Sequence, residues 1–298
     1  MHKLSNAATR TVRLVIEIAL PLGLLLSPAW AQHGHDCCRI AEPQPTVEKT
    51  FKVSGTPELA INNITGPIHV IGDSSGEIRL SAAETIRGDS EEDVARAKRE
   101  VHLDIAQNGN SVAVCVNGPF RHDSKSDNSA CQNSSVGDFD RSYSVLIDFE
   151  LHVPSTTRVR LNTVNDGAVK VERLSGGFQL HNVNGGIELD QVSGAGDAKT
   201  VNGDVQATFA ANPGADCSFS TLNGALHMYF RPNLAAKLRY KTLNGEVYTD
   251  FAMTPAGDAQ NGAIGSRRGR FSTGQVGSGG PQIDLDTLNG NIFIHRAS

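Results

Sequence analysis

Apolar and polar residues alternate along most of the chain from Val47 onward, and a period of two marks strands with one buried face. Phe51 and Val53 alternate with polar neighbours. Leu59, Ile61 and Ile64 lead through Gly66-Pro67 to Ile68 and Val70, then to Ile78 and Leu80. Val101, Leu103 and Ile105, followed by Val112, Val114 and Val116, flank Asn108-Gly109-Asn110 and predict a β-hairpin. Ser144 to Val153 predicts a longer strand stopped by Pro154. The period changes between Ser90 and Glu100. There Val94, Ala97 and Val101 form a thin helical stripe, Ser90 with Asp93 reads as a capping box, and Glu91 and Glu92 suit the positive end of a helix dipole. That predicts one short surface helix.

The second half repeats a phrase six times: Thr163-Val164-Asn165-Asp166, Asn182-Val183-Asn184-Gly185, Thr200-Val201-Asn202-Gly203, Thr221-Leu222-Asn223-Gly224, Thr242-Leu243-Asn244-Gly245 and Thr287-Leu288-Asn289-Gly290. The Asn-to-Asn steps are 19, 18, 21, 21 and 45 residues. Three residues after each Asn stands Ala168, Ile187, Val205, Leu226, Val247 or Ile292. A fixed period near 20 predicts stacked coils, because one such coil cannot bury its own apolar side. Second turns at Ser175-Gly176 and Ser193-Gly194 divide a coil into two nine-residue halves. The pattern therefore predicts an all-β fold, a β-solenoid of about 18–21 residues per coil with the one short helix. Asn165, Asn184, Asn202, Asn223, Asn244 and Asn289 read as corners, with left-handed backbone angles open to Asn and Gly and side chains stacked up a column. Asn62-Asn63-Ile64-Thr65-Gly66 is a weaker, earlier echo. The alternative is an antiparallel β meander or barrel, since Asn-Gly is also a hairpin signal. A coil with two unlike corners explains better why the phrase recurs only at every second turn. The 45-residue gap exceeds one coil, and its excess, residues 254–282, reads as a surface loop. Residues 117–142 read as another, holding an adjacent His122-Asp123 pair that makes a poor catalytic frame.

The N-terminal end follows different rules. Lys3, Arg10 and Arg13 precede an apolar run from Leu14 to Leu26, and Ala29-Trp30-Ala31 is a small-x-small cleavage site. Residues 1–31 therefore read as a secretory signal peptide, too short in its apolar run to span a membrane. No later segment is apolar enough for a transmembrane span. Three of the 27 basic and one of the 32 acidic residues lie in this peptide, which leaves 24 against 31, a net charge of −7. Nucleic acid is thereby excluded as an expected partner. Residues 32–46 read as a flexible leader. His33, His35, Asp36, Cys37 and Cys38 cluster there, but their spacing matches no closed metal site, so no metal is assigned. Export favours disulfides. Cys115 and Cys131 bracket a polar loop and are expected to pair. Cys217 alternates with Phe219 and reads as a buried thiol.

Together, the signal peptide, the opening Gly66-x-Ile68-x-Val70 strand, one helix, a hairpin, the strand ending Leu151-His152-Val153-Pro154 and the Thr-Val/Leu-Asn-Gly coils resemble a bacterial family of unknown function described as putative adhesins. The resemblance spans residues 47–298. It implies a right-handed, single-coil β-solenoid and an exported, non-enzymatic surface protein, and it supplies no binding residues or cofactor.

Function is then expected as adhesin-like or scaffold binding of an envelope protein or glycan, in the periplasm, at the cell surface or outside the cell. His227, Tyr229, Arg239, Lys241 and Tyr248 are candidates for a mixed aromatic and basic patch. The chain's Trp, Trp30, lies in the signal peptide, so a Trp-based sugar platform is excluded and Tyr must serve. A second reading is an accessory protein of envelope sensing or assembly that binds a protein through an open coil end. A third, polysaccharide cleavage, requires paired carboxylates. Asp190, Asp197 and Asp204 are its candidates, and their unlike coil positions argue against it, so no catalytic residue is assigned.

Overall fold

Two large mixed sheets face each other across one apolar core. The computed structural model describes residues 39–121, 142–255 and 271–297, all within one compact unit, Cys37–Ser298. The expected signal peptide, the His33–Cys38 cluster, His122, Asp123, Cys131 and residues 256–270 lie outside the described residues.

The first half supplies β1 (Ile40–Pro43), β2 (Val47–Lys52), β3 (Glu58–Asn62), β4 (Ile68–Asp73), β5 (Glu77–Gly88), α1 (Glu91–Glu100), β6 (His102–Asn108), β7 (Ser111–Asn117) and β8 (Tyr143–Pro154). The predicted helix is α1, capped by the Ser90 hydroxyl, which accepts the Asp93 N–H at 3.2 Å. Its buried residues are Val94 and Ala97. The predicted hairpin is β6–β7, antiparallel from His102–Asn117 to Asn108–Ser111. Within the expected flexible leader, Ile40–Pro43 is the strand β1, paired with β5.

The repeats follow as β9 (Arg158–Asn162), β10 (Val169–Glu172), β11 (Phe178–His181), β12 (Ile187–Val192), β13 (Gly196–Asn202), β14 (Val205–Phe209), β15 (Cys217–Asn223), β16 (Leu226–Phe230), β17 (Ala236–Asn244), β18 (Val247–Thr249), β19 (Met253–Pro255), β20 (Ser272–Val276), β21 (Gln282–Asn289) and β22 (Ile292–Arg296). From β9 to β18 the strands alternate between the sheets. The first sheet runs β1-β5-β8-β4-β10-β12-β14-β16-β22-β18, with β2 also on β5, and the second runs β19-β20-β17-β21-β15-β13-β11-β9-β3-β7-β6. Neither closes into a barrel. Repeat strands pair in parallel and in step, Val169 on Ile187 on Val205 on Leu226 on Ile292, while antiparallel pairs gather at the ends. A meander of the repeats is thus ruled out.

Among the six repeat coils, one departs from chain order. The last phrase does not lie beyond the Asn244 coil. β21 sits between β15 and β17, and β22 sits between β16 and β18. The C-terminal coil is inserted between two earlier ones. Within the expected surface loop at 254–282, β20 pairs antiparallel with both β17 and β19.

The corners use the expected positive φ only in part: Asp166 (52°), Gly203 (153°) and Gly290 (159°), each directly after a corner Asn, adopt it. Among the described residues, the non-Gly residues with left-handed φ are Asp166, Arg173 and Gln191, at 52–53°, and none of the six corner Asn is there. Asn202, Asn223, Asn244 and Asn289 end strands and Asn165 and Asn184 sit in isolated bridges, and the six amides form a continuous ladder. Asn184 Nδ2 donates to Asn165 Oδ1 (2.9 Å), Asn202 to Asn184 (2.8 Å), Asn223 to Asn202 (2.8 Å), Asn289 to Asn223 (2.7 Å) and Asn244 to Asn289 (2.7 Å). Two residues earlier, the side chain turns inward and donates to a Gly carbonyl of the preceding coil: Thr163, Thr200, Thr221, Thr287 and Thr242 through Oγ1, Asn182 through Nδ2. Gly is required for close approach. A Cβ on Gly224 would stand 2.1 Å from Gly203 O, and one on Gly290 1.9 Å from Gly224 O. The residue between Thr and Asn points outward, leaving Val183, Val201 and Leu222 36–43 % exposed. Asp166 adds a residue to the first corner, so Val169 rather than Ala168 takes the buried place beside Ile187.

Inside, both sheets contribute aliphatic side chains and a Phe cluster. Phe209 meets Phe219 edge-on at 6.2 Å across the sheets and stacks on Phe230 at 5.0 Å, while Phe178 lies 6.2 Å from Phe219. These four rings are almost fully buried.

An Asn223→Ala variant removes one donated and one accepted ladder bond at an exposed site. The expected loss is about 1–3 kcal/mol, from a net value near 0.5–1.5 kcal/mol for each of the two hydrogen bonds. Thermal melting should show a drop of a few degrees with any ligand binding retained, as a framing role requires. Unchanged stability with lost binding would make the ladder a ligand site instead.

Candidate functional site

The outer face of the first sheet divides into two zones. Toward β4 it is charged. Lys170 Nζ lies 2.9 Å from Glu172 and 3.7 Å from Glu188, and His69 Nε2 lies 3.0 Å from Glu172. The hydrogen bond from Lys170 holds the Glu172 carboxyl below its usual range, against the opposing effect of desolvation. These charges are already mutually paired.

Toward β18 the same face is aromatic. Because the strands are in register, residues four after each corner Asn form one column, His227, Phe293 and Tyr248. Residues six after it form a second, Tyr229, His295 and Asp250. His227 stacks on Phe293 with centroids 4.8 Å apart and planes at 12°, and Tyr248 stacks on Phe293 at 5.2 Å and 9°. Tyr229 stacks on His295 at 5.0 Å, and His295 Nδ1 lies 3.3 Å from Asp250 Oδ2. These centroid separations match the spacing of adjacent strands. The rings are therefore piled face to face along the ladder with their edges toward solvent. A sugar lying flat on this sheet would meet ring edges. The free ring face belongs to Tyr248, 46 % exposed on the last strand of the sheet.

Of the five residues expected to form one patch, His227, Tyr229 and Tyr248 converge here. Arg239 and Lys241 do not, because β17 belongs to the second sheet. There Arg239 is held by Asp284 (Nε to Oδ1, 2.9 Å), and its guanidinium lies 4.3 Å from the Phe271 ring centroid. Lys241 Nζ also lies over Phe271, at 5.4 Å. Phe293 and His295 were missed. Their signal is the shared offset from Asn289, visible once the coils are aligned.

The three candidate acids are scattered. Asp190 is on β12 in the first sheet and Asp197 on β13 in the second. Asp204 lies at a corner, where its Oδ1 accepts the Ala225 N–H at 2.7 Å. Asp197 borders a groove of about 400 Å³ on the second sheet, whose other charges include Glu58, Arg158 and Arg160. Arg158 pairs with Glu58 at 3.4 Å, and Arg160 donates to Gln179 at 2.9 Å.

Cys115 is buried on β7, and the pairing expected with Cys131 falls outside the described residues. Cys217 is a buried free thiol. Burial pushes its pKa up to about 11, so it is neutral at pH 8 and poorly nucleophilic. The folded protein should leave Cys217 unmodified by iodoacetamide at that pH and react fully in denaturant, as peptide mass spectrometry would show.

No helix among the described residues is long and apolar enough to cross a membrane, and they contain no group of three or more His, Cys, Asp or Glu able to hold a metal ion. The chain matches no family model and no curated protein. Among solved structures it is similar to a putative cell adhesion protein from Clostridium sporogenes, with 13 % identity, a TM-score of 0.40, and coverage of 85 % of this chain and 100 % of that one. It is also similar to a putative adhesin from Bacteroides fragilis (12 %, 0.27, 85 % and 98 %) and a putative lipid binding protein from Parabacteroides distasonis (10 %, 0.25, 85 % and 97 %). Likeness of this degree carries no conclusion about what this chain binds.

Proposed function

We propose that this chain is an exported, non-enzymatic adhesin-like or scaffold protein whose binding surface is the C-terminal aromatic end of the first sheet. The observation that carries this reading is the exposed stack ending in Tyr248, an aromatic face open to solvent on the same sheet as the mutually paired Lys170, Glu172 and Glu188. The frame fits the role. Parallel, in-register strands alternating between two sheets support a right-handed β-solenoid of 18–21 residues per coil, and such frames present regular faces for binding. The Cys115–Cys131 disulfide belongs to the same proposal, tying residues 117–142 to β7. Export rests on the signal peptide read at residues 1–31.

The test is capture of envelope components and glycan-array binding by the mature protein, wild type and Tyr248→Ala in parallel. A saturable ligand is expected. Release of reducing ends or unsaturated sugar from polyanionic glycans, abolished by Asp190→Asn, would contradict the non-enzymatic reading.

A further inference from the structure

We infer that the outer edge of β18 is a strand-addition site for an extended segment of a partner protein, one carrying an aromatic residue flanked two positions away on each side by Lys or Arg. This rests on the non-enzymatic binding reading and names its partner. Among the described residues β18 pairs with β22 alone. Ile292 N–H donates to the Glu246 carbonyl (2.9 Å), and Asp250 N–H donates to the Ile294 carbonyl (3.0 Å). Residues 246 and 250 therefore face β22. By the alternation of a parallel ladder, the peptide groups of Val247 and Thr249 point to the open edge. They offer two N–H donors and two carbonyl acceptors to an incoming strand.

Side chains specify what that strand must carry. Tyr248 is opposite its central residue, and the free ring face continues the pile His227–Phe293–Tyr248 by one more ring. Two residues either way on the same face stand Glu246 and Asp250, both exposed carboxylates. Glu246 accepts the Tyr248 hydroxyl at 2.5 Å, and Asp250 accepts the Arg296 N–H at 3.2 Å and neighbours His295. Directly opposed unlike charges favour cross-strand pairing and like charges oppose it. A basic residue on each side of the aromatic is thus selected, in either strand direction. A second copy of this chain fits worse, because pairing β18 with itself about Tyr248 would oppose Glu246 to Asp250 twice.

The probe is a fluorescein-labelled peptide, Val-Lys-Thr-Tyr-Thr-Lys-Val, titrated with the full mature chain by fluorescence anisotropy. Saturable binding is expected. It should weaken about tenfold or more when both Lys become Glu, when the Tyr becomes Ala, or when the Thr, Tyr, Thr and second Lys amides are all N-methylated, which removes the donors of an antiparallel addition (the two Thr) and of a parallel one (Tyr and the second Lys) alike. Tyr248→Ala should weaken it similarly with a melting temperature close to wild type. No saturation by about 1 mM peptide, the weak end of specific affinities, overturns the inference. So does binding indifferent to N-methylation or to Tyr248→Ala, or a Tyr248-dependent dimer in sedimentation. Glycan or envelope binding lost in Tyr248→Ala, with no peptide bound, would sink the strand-addition site and leave the proposed binding surface standing; the same binding unchanged by Tyr248→Ala would sink both.

Discussion

Deleting residues 282–298 is expected to remove most of the stability of the fold. In chain order this is a C-terminal tail; in space it is an interior coil. β21 and β22 carry Ile283, Leu285, Ile292 and Ile294, all fully buried, and they bridge β15 to β17 and β16 to β18. Burying such a side chain contributes about 1.5–3 kcal/mol, so the four account for about 6–12 kcal/mol. A domain's whole stability is about 5–15 kcal/mol. Direct docking of the Asn244 coil on the Asn223 coil would restore backbone pairing but not those four side chains. Circular dichroism melting and limited proteolysis should find the truncated chain largely unfolded. A transition within a few degrees of the full chain would mean the inserted coil is peripheral.

Phe219→Ala is expected to have the next largest effect. Its ring contacts Phe178 and Phe209 at 6.2 Å each and is fully buried. Removing a large buried aromatic costs about 3–5 kcal/mol, because the cavity collapses only in part. In a domain of this size that lowers the melting temperature by about 10 °C, at 2–4 °C per kcal/mol. Phe219→Leu should lose much less. Equal losses for the two would show that the site tolerates a cavity and that the Phe cluster is not a packing centre.

The strands were legible because burial on one face imposes a period of two, and α1 was legible because capping residues sit at fixed spacing. The repeat was legible because every coil meets the same corner constraint. What failed was detail that this regularity conceals. Thr221-Leu222-Asn223-Gly224, Thr242-Leu243-Asn244-Gly245 and Thr287-Leu288-Asn289-Gly290 are the same four residue types, so any two can stack and spacing cannot say which do. That hid the inserted coil, and with it Phe293 and His295. Of the two reasons for Asn at the corners, stacked side chains are realised in the amide ladder, while positive φ falls on the residue after the Asn at only three corners. Arg239 and Lys241 were grouped with His227 because outward position was read without knowing which sheet held each strand.

The inserted coil is also what tests this structure most directly. Asn223, Asn289 and Asn244 are exposed and occupy successive rungs. Adjacent parallel strands bring equivalent residues about 4.8 Å apart, and alternate strands about twice that. A disulfide needs Cα atoms within roughly 7 Å. Oxidation of Asn223→Cys with Asn289→Cys should give a cross-linked peptide by mass spectrometry, and Asn223→Cys with Asn244→Cys should give none. A cross-link in the second pair and not the first would contradict the order Asn223, Asn289, Asn244.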